Sequence, residues 1–317
     1  MSLTKILAAV VVFTSSTAAV AEPISIATAR QGSSTHNLGL AVSTVAAEIS
    51  DLDIRPLPFQ STSQALPMVD SNEIGLGLEN AYALLEASSG AGTFENFQQK
   101  NLRLVARLLP LRMTVGVRAD SDIQSVADLK GMRLPAGFGT TVTGELLIST
   151  LLATGGLDYD DVEQVPVANF SAMADAFIAG DIDAYIFVVG SPRDANVSVQ
   201  VGGLRAIDLN DSPETLANVK EILPVASLYE LEPAENLMDI DDVTTILQYD
   251  YFVYTNDARP DADVTALLTA LQGGKAQMEE MVASLSWFLP ENMYADVPMP
   301  YHPAAIAFFE AQGIEQR

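Results

Sequence analysis

Apolar and polar positions alternate from Pro23 in the stretch PISIAT, with a β-branched bias, and this predicts a strand over Pro23–Thr28. A small polar stretch follows at Ala29–Thr35. Leu38, Ala41, Val42, Val45, Ala46 and Ile49 then recur at helical spacing and predict a helix with one apolar face. Ser33, Ser34 or Thr35 is positioned to cap it. The unit returns downstream as a strand at Met132–Ala136, a turn at Gly137–Thr143 and an apolar-rich helix over Glu145–Ala153. Strand, turn and helix in alternation predict an α/β fold with a mainly parallel sheet. The halves also echo one another. NEIGLGLEN at Asn72–Asn80 and GDIDAYIFVVG at Gly180–Gly190 each read as a buried strand entered from a turn after a helix. Two similar α/β lobes would fit the 317 residues, and ordinary repetition of such units accounts for the echo equally well.

The first residues follow a different pattern. Lys5 precedes the apolar stretch Ile6–Phe13, and Ala19-Val20-Ala21 ends it, which together describe a cleavable secretory signal over residues 1–21. The apolar run falls short of the ~20 residues a membrane-spanning helix needs. With no cysteine in the chain, a lipid anchor on that residue, disulfides, thiolate catalysis and Cys-based metal sites are all excluded. Cleavage after Ala21 removes Lys5 and no acid, leaving a chain that begins at Glu22 with 15 bases against 41 acids. The expected product is exported, periplasmic and strongly acidic. Such a charge repels nucleic acid and anionic membrane surfaces, whose recognition rests on clustered Lys and Arg. Two histidines, His36 and His302, leave little for a zinc site, and no metal or organic cofactor is expected.

In open α/β sheets ligands bind beyond the carboxyl ends of strands, where free N–H groups of helix N-termini favour an anion. Four polar turns fit that position: Ala29–His36, Glu79–Tyr82, Gly137–Thr143 and Gly190–Asn196. Two of them hold an arginine, Arg30 and Arg193, in a chain with only 16 bases. A guanidinium suits bidentate carboxylate recognition, although pairing with a surface acid would equally explain either residue. Nucleotide motifs fail on these turns. Gly137-Phe138-Gly139 lacks the third glycine of a dinucleotide fingerprint, and Gly139–Glu145 has Glu145 where a phosphate loop needs lysine. No Gly-x-Ser-x-Gly elbow or HExxH is present, and no catalytic constellation stands out.

Pro298-Met299-Pro300-Tyr301-His302-Pro303-Ala304-Ala305, followed by Phe308-Phe309 and Gly313, is similar to the C-terminal tail of the TAXI family of extracytoplasmic solute receptors, which serve TRAP transporters. Arg118–Ser121, Ser125–Gly131, Gln60-Ser61-Thr62 and Ala174–Ala184 add agreement, and Gly190-Ser191-Pro192 falls where the family has a Gly-x-Pro turn lining the cleft. The resemblance covers nearly all of the mature chain. It implies a two-lobed, type II-like periplasmic binding protein fold, with residues 22–114 and 254–317 in lobe I and residues 115–253 in lobe II. Hinge strands are implied near Val115–Arg118 and Tyr251–Tyr254. It implies no catalysis: a small carboxylate or amino acid is captured between the lobes and delivered to a TRAP membrane permease.

The ligand-lining residues expected from the turns and the resemblance are Arg30, Gln31, Gly32, Ser33, Ser34, Thr35 and His36 in the first loop, with Ser61 and Thr62. From the other turns come Glu79, Asn80, Gly139, Thr140, Thr141, Gly190, Ser191, Pro192 and Arg193. The family's first loop usually carries two tyrosines where this chain has Thr35 and His36, which makes glutamate itself a poorer expectation than a small carboxylate or dicarboxylate. An acid at Glu79 would repel a carboxylate yet could hold a ligand ammonium. His36 could face the ligand or solvent, and His302 reads as a structural hydrogen-bonding residue. Trp287, Phe288 and Leu289, with Met278 and Met281, read as core. The competing readings are a binding protein of an ABC importer, a periplasmic sensor and an exported hydrolase.

Overall fold

The first strand–turn–helix unit forms as β1 (Ile24–Thr28) and α1 (Ser34–Ser50). Ser33 caps α1, its hydroxyl accepting the His36 N–H, and Asp51 ends it in the left-handed conformation. Leu38, Ala41, Val42, Val45 and Ala46 turn inward, whereas Ile49 in the last turn stays exposed. The computed structural model describes residues 23–317 except 140, 142 and 236. The expected signal segment and Thr140 therefore lie outside the described residues.

The chain continues through β2 (Ile54–Pro58), a helical turn at Thr62–Ala65, α2 (Leu66–Asp70), β3 (Leu76–Asn80), α3 (Ala81–Ser89) and the 17-residue β4 (Leu102–Arg118). Then come β5 (Arg133–Gly137), α4 (Gly144–Ala153), β6 (Glu163–Val167), α5 (Phe170–Ala179), β7 (Ala184–Val188) and α6 (Pro192–Val201). β8 (Leu204–Ala206), α7 (Pro213–Ile222) and β9 (Ser227–Leu231) precede the long β10 (Thr244–Asn256). The chain closes with α8 (Asp261–Gly273), α9 (Lys275–Met281) and α10 (Pro303–Gln312).

The sheet corrects the mainly parallel expectation. Its order is β2-β1-β3-β10-β4-β7, with β8 on β4, β9 on β10, and β5-β6 as a separate pair. β1 runs parallel to β2 and β3, and β5 to β6, as βα units require. Every pairing of β4 or β10 with another of these strands is antiparallel; β4 also makes an isolated parallel bridge from Leu104 to Tyr301. These two strands run against each other through the middle of the sheet, and periodicity along the chain carries no information about strand direction.

Two hydrophobic cores result. One is built from buried residues of 26–109 and 251–309, the other from 113–249. β4 changes core between Leu109 and Met113, and β10 between Tyr249 and Tyr251. A register slip between Tyr251 and Phe252 falls at this crossing, and such bulges re-aim side chains. The Arg107 guanidinium pairs with Asp250 across the two strands at 2.5 Å, and Arg112 lies between the Tyr229 and Trp287 rings at 4.2 and 4.3 Å.

Of the expected core residues, Met278 and Phe288 are buried. Met281 is not: it ends α9 and is 44% exposed. Leu289 is also exposed, and Trp287 is half-buried against Arg112. His302 caps α10 through Nδ1 and bonds the Arg259 carbonyl through Nε2, a structural role.

Candidate functional site

Between the two cores lies a cavity of about 880 Å³. Each wall is a set of strand ends and helix starts. From the first core come the β1–α1 turn, the segment after β2 and the carboxyl end of β3. From the second come β7 and the starts of α4, α5 and α6. Leu109, Leu111 and Met113 of β4, with Tyr249 and Tyr251 of β10, complete it where the strands cross. Alternation along β4 sends these apolar side chains to the cavity and Arg112 to the opposite side.

Arg30 through Thr35 all line the cavity, as do Ser61, Thr62, Glu79, Asn80, Thr141, Ser191 and Arg193. His36, Gly139, Gly190 and Pro192 do not. The His36 ring is buried, its Nδ1 3.1 Å from Thr28 Oγ1, because the first turn of α1 rotates it toward β1. Gly190, at φ +71°, makes the turn from β7 and faces Ser284. Pro192 is exposed at the first position of α6, where a missing N–H costs nothing. Gly139 is also exposed.

Sequence reasoning missed Phe59, Gln60, Ser63, Tyr249 and the Asn169–Ser171 turn, all of which line the cavity. The last was legible. Asn169 follows β6 and caps α5, accepting from the Ser171 and Ala172 N–H groups, in the same strand–cap–helix pattern as the other turns. The strand residues carried no such signal, since an apolar or aromatic side chain in a buried strand looks like core.

Arg193 is held rigidly. Its Nε donates to Asp194 Oδ1 at 2.9 Å, and Nη2 donates to Asp194 Oδ2 at 2.7 Å and to the Ile186 carbonyl at 3.0 Å. Asp194 is 1% exposed and also accepts the Val188 N–H. Burial works against the Arg193 charge, but Asp194 outweighs it and raises the guanidinium above its usual range. Nη1 has no hydrogen-bond partner among the described residues and remains the free end of a preoriented fork. Arg30 is exposed, with Nε donating to Gln60 Oε1 at 2.7 Å.

Glu79 is 1% exposed. Its Oε1 accepts the Asn80 N–H at 2.8 Å and Asn80 Nδ2 at 2.6 Å, and its Oε2 accepts from Ser63 Oγ at 2.9 Å. Burial pushes its carboxyl up, against the pull of these donors and the Thr62 hydroxyl. Two contacts reach across the cavity region: Ser34 Oγ lies 3.1 Å from Ser191 Oγ, and Thr35 Oγ1 lies 3.2 Å from Tyr251 OH. The first joins the loop of one core to the α6 start of the other. The strongly charged lining residues, among those described, are Arg30, Arg193 and Glu79. No cluster of three or more His, Asp or Glu able to hold a metal occurs among the described residues.

Solved structures share this architecture. The periplasmic binding protein BugD aligns at TM-score 0.57 and 11% identity, over 93% of this chain and 99% of its own. PhnD1 from Prochlorococcus marinus, in complex with methylphosphonate, aligns at 0.52 and 10%, over 81% and 89%. The periplasmic aliphatic sulphonate binding protein SsuA from Escherichia coli aligns at 0.50 and 15%, over 84% and 74%. At such identities the likeness is one of fold, that of the two-lobed periplasmic binding proteins. The profile of the NMT1-like family matches residues 26–313, from the middle of β1 to the glycine that ends α10. A match that takes in both cores and the cavity between them means that this chain belongs to the NMT1-like family.

Proposed function

We propose that the protein is a periplasmic solute receptor that captures a small organic anion in the cavity between its lobes and hands it to a membrane permease, without catalysis. The observation that carries this reading is a reversal of charge. A chain with 41 acids and 16 bases lines its cavity with two arginines and one acid. The starts of α1, α4, α5 and α6 meet the same cavity, and the positive ends of their dipoles favour an anion. Leu38, Phe59, Leu109, Met113, Leu147 and Phe170 add an apolar lining, which suits an organic body behind the acid group.

The permease reading shifts. TRAP delivery was expected from the TAXI resemblance, but the family match is NMT1-like, and the neighbours of similar fold include aliphatic-sulphonate- and methylphosphonate-associated binding proteins. These support the alternative, a binding protein of an ABC importer, with sulfonates and phosphonates beside carboxylates as candidate anions. A neighbouring gene for an ATPase subunit favours this assignment, and one for a large multi-span permease restores TRAP. Closure is proposed to hinge where β4 and β10 change core, and ligand binding shifts the open–closed balance.

A thermal-shift screen of organic acids tests the reading. A ligand at about 100 times its Kd stabilises by about 2.7 kcal/mol, and the stabilising set is expected to be anions. Stabilisation by neutral or cationic solutes alone, or turnover of an ester or amide, would overturn it.

A further inference from the structure

Trp287 stands where the two cores meet. It ends the helical turn Ala283–Trp287 that follows α9. Leu285 and Phe288, which flank it, are fully buried in the first core, whereas the Trp287 ring packs against the second. The ring edge also lies beside Gly190, where an added Cβ would stand 3.9 Å from Trp287 Cη2. Gly190 makes the turn from β7 into α6. The residues just after it bring Ser191 to Ser34 of the first core and Arg193 to the cavity. The turn that presents Arg193 therefore rests on a ring supplied by the opposite lobe.

Arg112 holds that ring in place. Its guanidinium carbon lies 4.3 Å from the centre of the Trp287 ring and 4.2 Å from that of Tyr229. Tyr229 belongs to β9, whose Leu231 is buried in the second core. Arg112 Nε donates to Gln248 Oε1 of β10 at 3.3 Å, and the Arg112 carbonyl accepts the Val189 N–H at 3.0 Å, one residue before Gly190. Arg112 itself stands on β4 between Leu109 and Met113, where the strand changes core. The other arginines of β4 have ordinary partners. Arg103 pairs with Asp257 and Arg107 with Asp250, and Arg118 donates to the Phe177 and Ile178 carbonyls. Arg112 pairs with no acid among the described residues, in a chain that has 41 of them. A planar cation between two rings gains from both faces only while the rings stay aligned. One ring comes from each lobe, so rotating a lobe about the strand crossing breaks the sandwich.

We infer that the Tyr229–Arg112–Trp287 stack is a clasp at the hinge that holds the lobes in the closed arrangement, the one in which Ser34 meets Ser191. Trp287 is then a positioning residue beneath the turn that carries Arg193. None of the three side chains lines the cavity, so they act on a ligand only through the balance between open and closed lobes. The inference deepens the closure part of the receptor reading and rests on it.

Electron–electron double resonance on the ligand-free chain from Glu22 onward tests it. Spin labels at Ala47→Cys in α1 and Gln200→Cys in α6 sit at exposed positions on opposite lobes, and the chain has no cysteine of its own. The parent is expected to hold the label distance of this structure as its main population. Arg112→Met keeps the apolar stem and removes the planar charge, and Trp287→Leu removes the ring. Each is expected to lower the ratio of that population to the others ~2- to 5-fold, the scale of a partly exposed cation–π contact. Trp287→Phe keeps a ring and is expected to stay close to the parent. Arg112→Met leaves no acid unpaired, and together with Trp287→Phe it decides the matter if Trp287→Leu does not fold. A stack that is merely structural would lower the thermal unfolding midpoint and leave the distances alone. That result, or a parent without the closed distance, overturns the inference. Because no ligand is needed, unchanged distances sink the clasp and leave the receptor reading standing, whereas a thermal-shift screen in which no acid stabilises sinks the receptor reading.

Discussion

Arg193 spends three hydrogen bonds on the protein before any ligand arrives, two of them on a carboxylate that is 1% exposed. On the sequence either a ligand contact or a partnering acid would explain Arg193; the structure shows the acid, Asp194, and leaves Nη1 for the ligand contact proposed above. Arg193→Ala is accordingly expected to do two separable things. Affinity for an anionic ligand falls at least ~10-fold, and the fold loses about 3 kcal/mol because Asp194 is left buried and unpaired. Adding Asp194→Asn should restore most of the stability and none of the affinity. Thermal unfolding and calorimetry on both variants check this, and unchanged affinity in the single variant would remove Arg193 from the site. Glu79 teaches the complementary lesson: its residue type was visible in the sequence, but its depth and its donors were not.

The β1–α1 unit shows how an element places the site. α1 packs so closely on β1 that a Cβ on Gly39 would come within 2.4 Å of Thr28 Cγ2. Thr28 cannot easily yield, because its hydroxyl is tied to His36 Nδ1 and the Ala29 carbonyl. Gly39→Val should therefore cost about 2 kcal/mol: overpacking of ~1–3 kcal/mol outweighs the few tenths gained in helix propensity. Lifting α1 also moves Ser34 and Thr35, so ligand affinity should fall with stability. Chemical denaturation alongside calorimetry checks the prediction, and a variant as stable as the parent would mean that the interface has slack. Helix positions, a cap among Ser33, Ser34 and Thr35, and the polar turns at strand ends were legible because spacing and capping act over a few residues. Met281 was misread for the same reason, since its spacing resembled that of a core residue although α9 ends there.

Across the whole molecule, the charge of −25 sits on a protein whose cavity lining inverts it. Loss of the expected signal segment, which holds one base and no acid, would make the charge −26. Long-range steering would slow an incoming anion, so capture falls to the groups inside the cleft. Self-repulsion among surface acids should destabilise the compact state, and salt should relieve it as the screening length drops from ~10 Å at 0.1 M to ~3 Å at 1 M. The unfolding midpoint is expected to rise across that range in sodium chloride, a salt chosen over sulfate because sulfate also strengthens apolar burial. A flat or falling midpoint would show that the acids are spaced widely enough not to repel.

By itself the sequence determined the local units: strands that end in Gly-, Ser- and Thr-rich turns, helices capped to begin there, and two arginines among few bases at those turns. Short-range periodicity, capping and charge suffice for that. Tertiary structure decided the antiparallel course of β4 and β10, the arrival of Ser63 and Tyr249 at one cavity, and the burial that ties Arg193 to Asp194 and encloses Glu79 with Ser63 and Asn80. Those outcomes depend on contacts between segments that lie tens to hundreds of positions apart, such as Ser34 with Ser191 and Thr35 with Tyr251, and no local pattern encodes them.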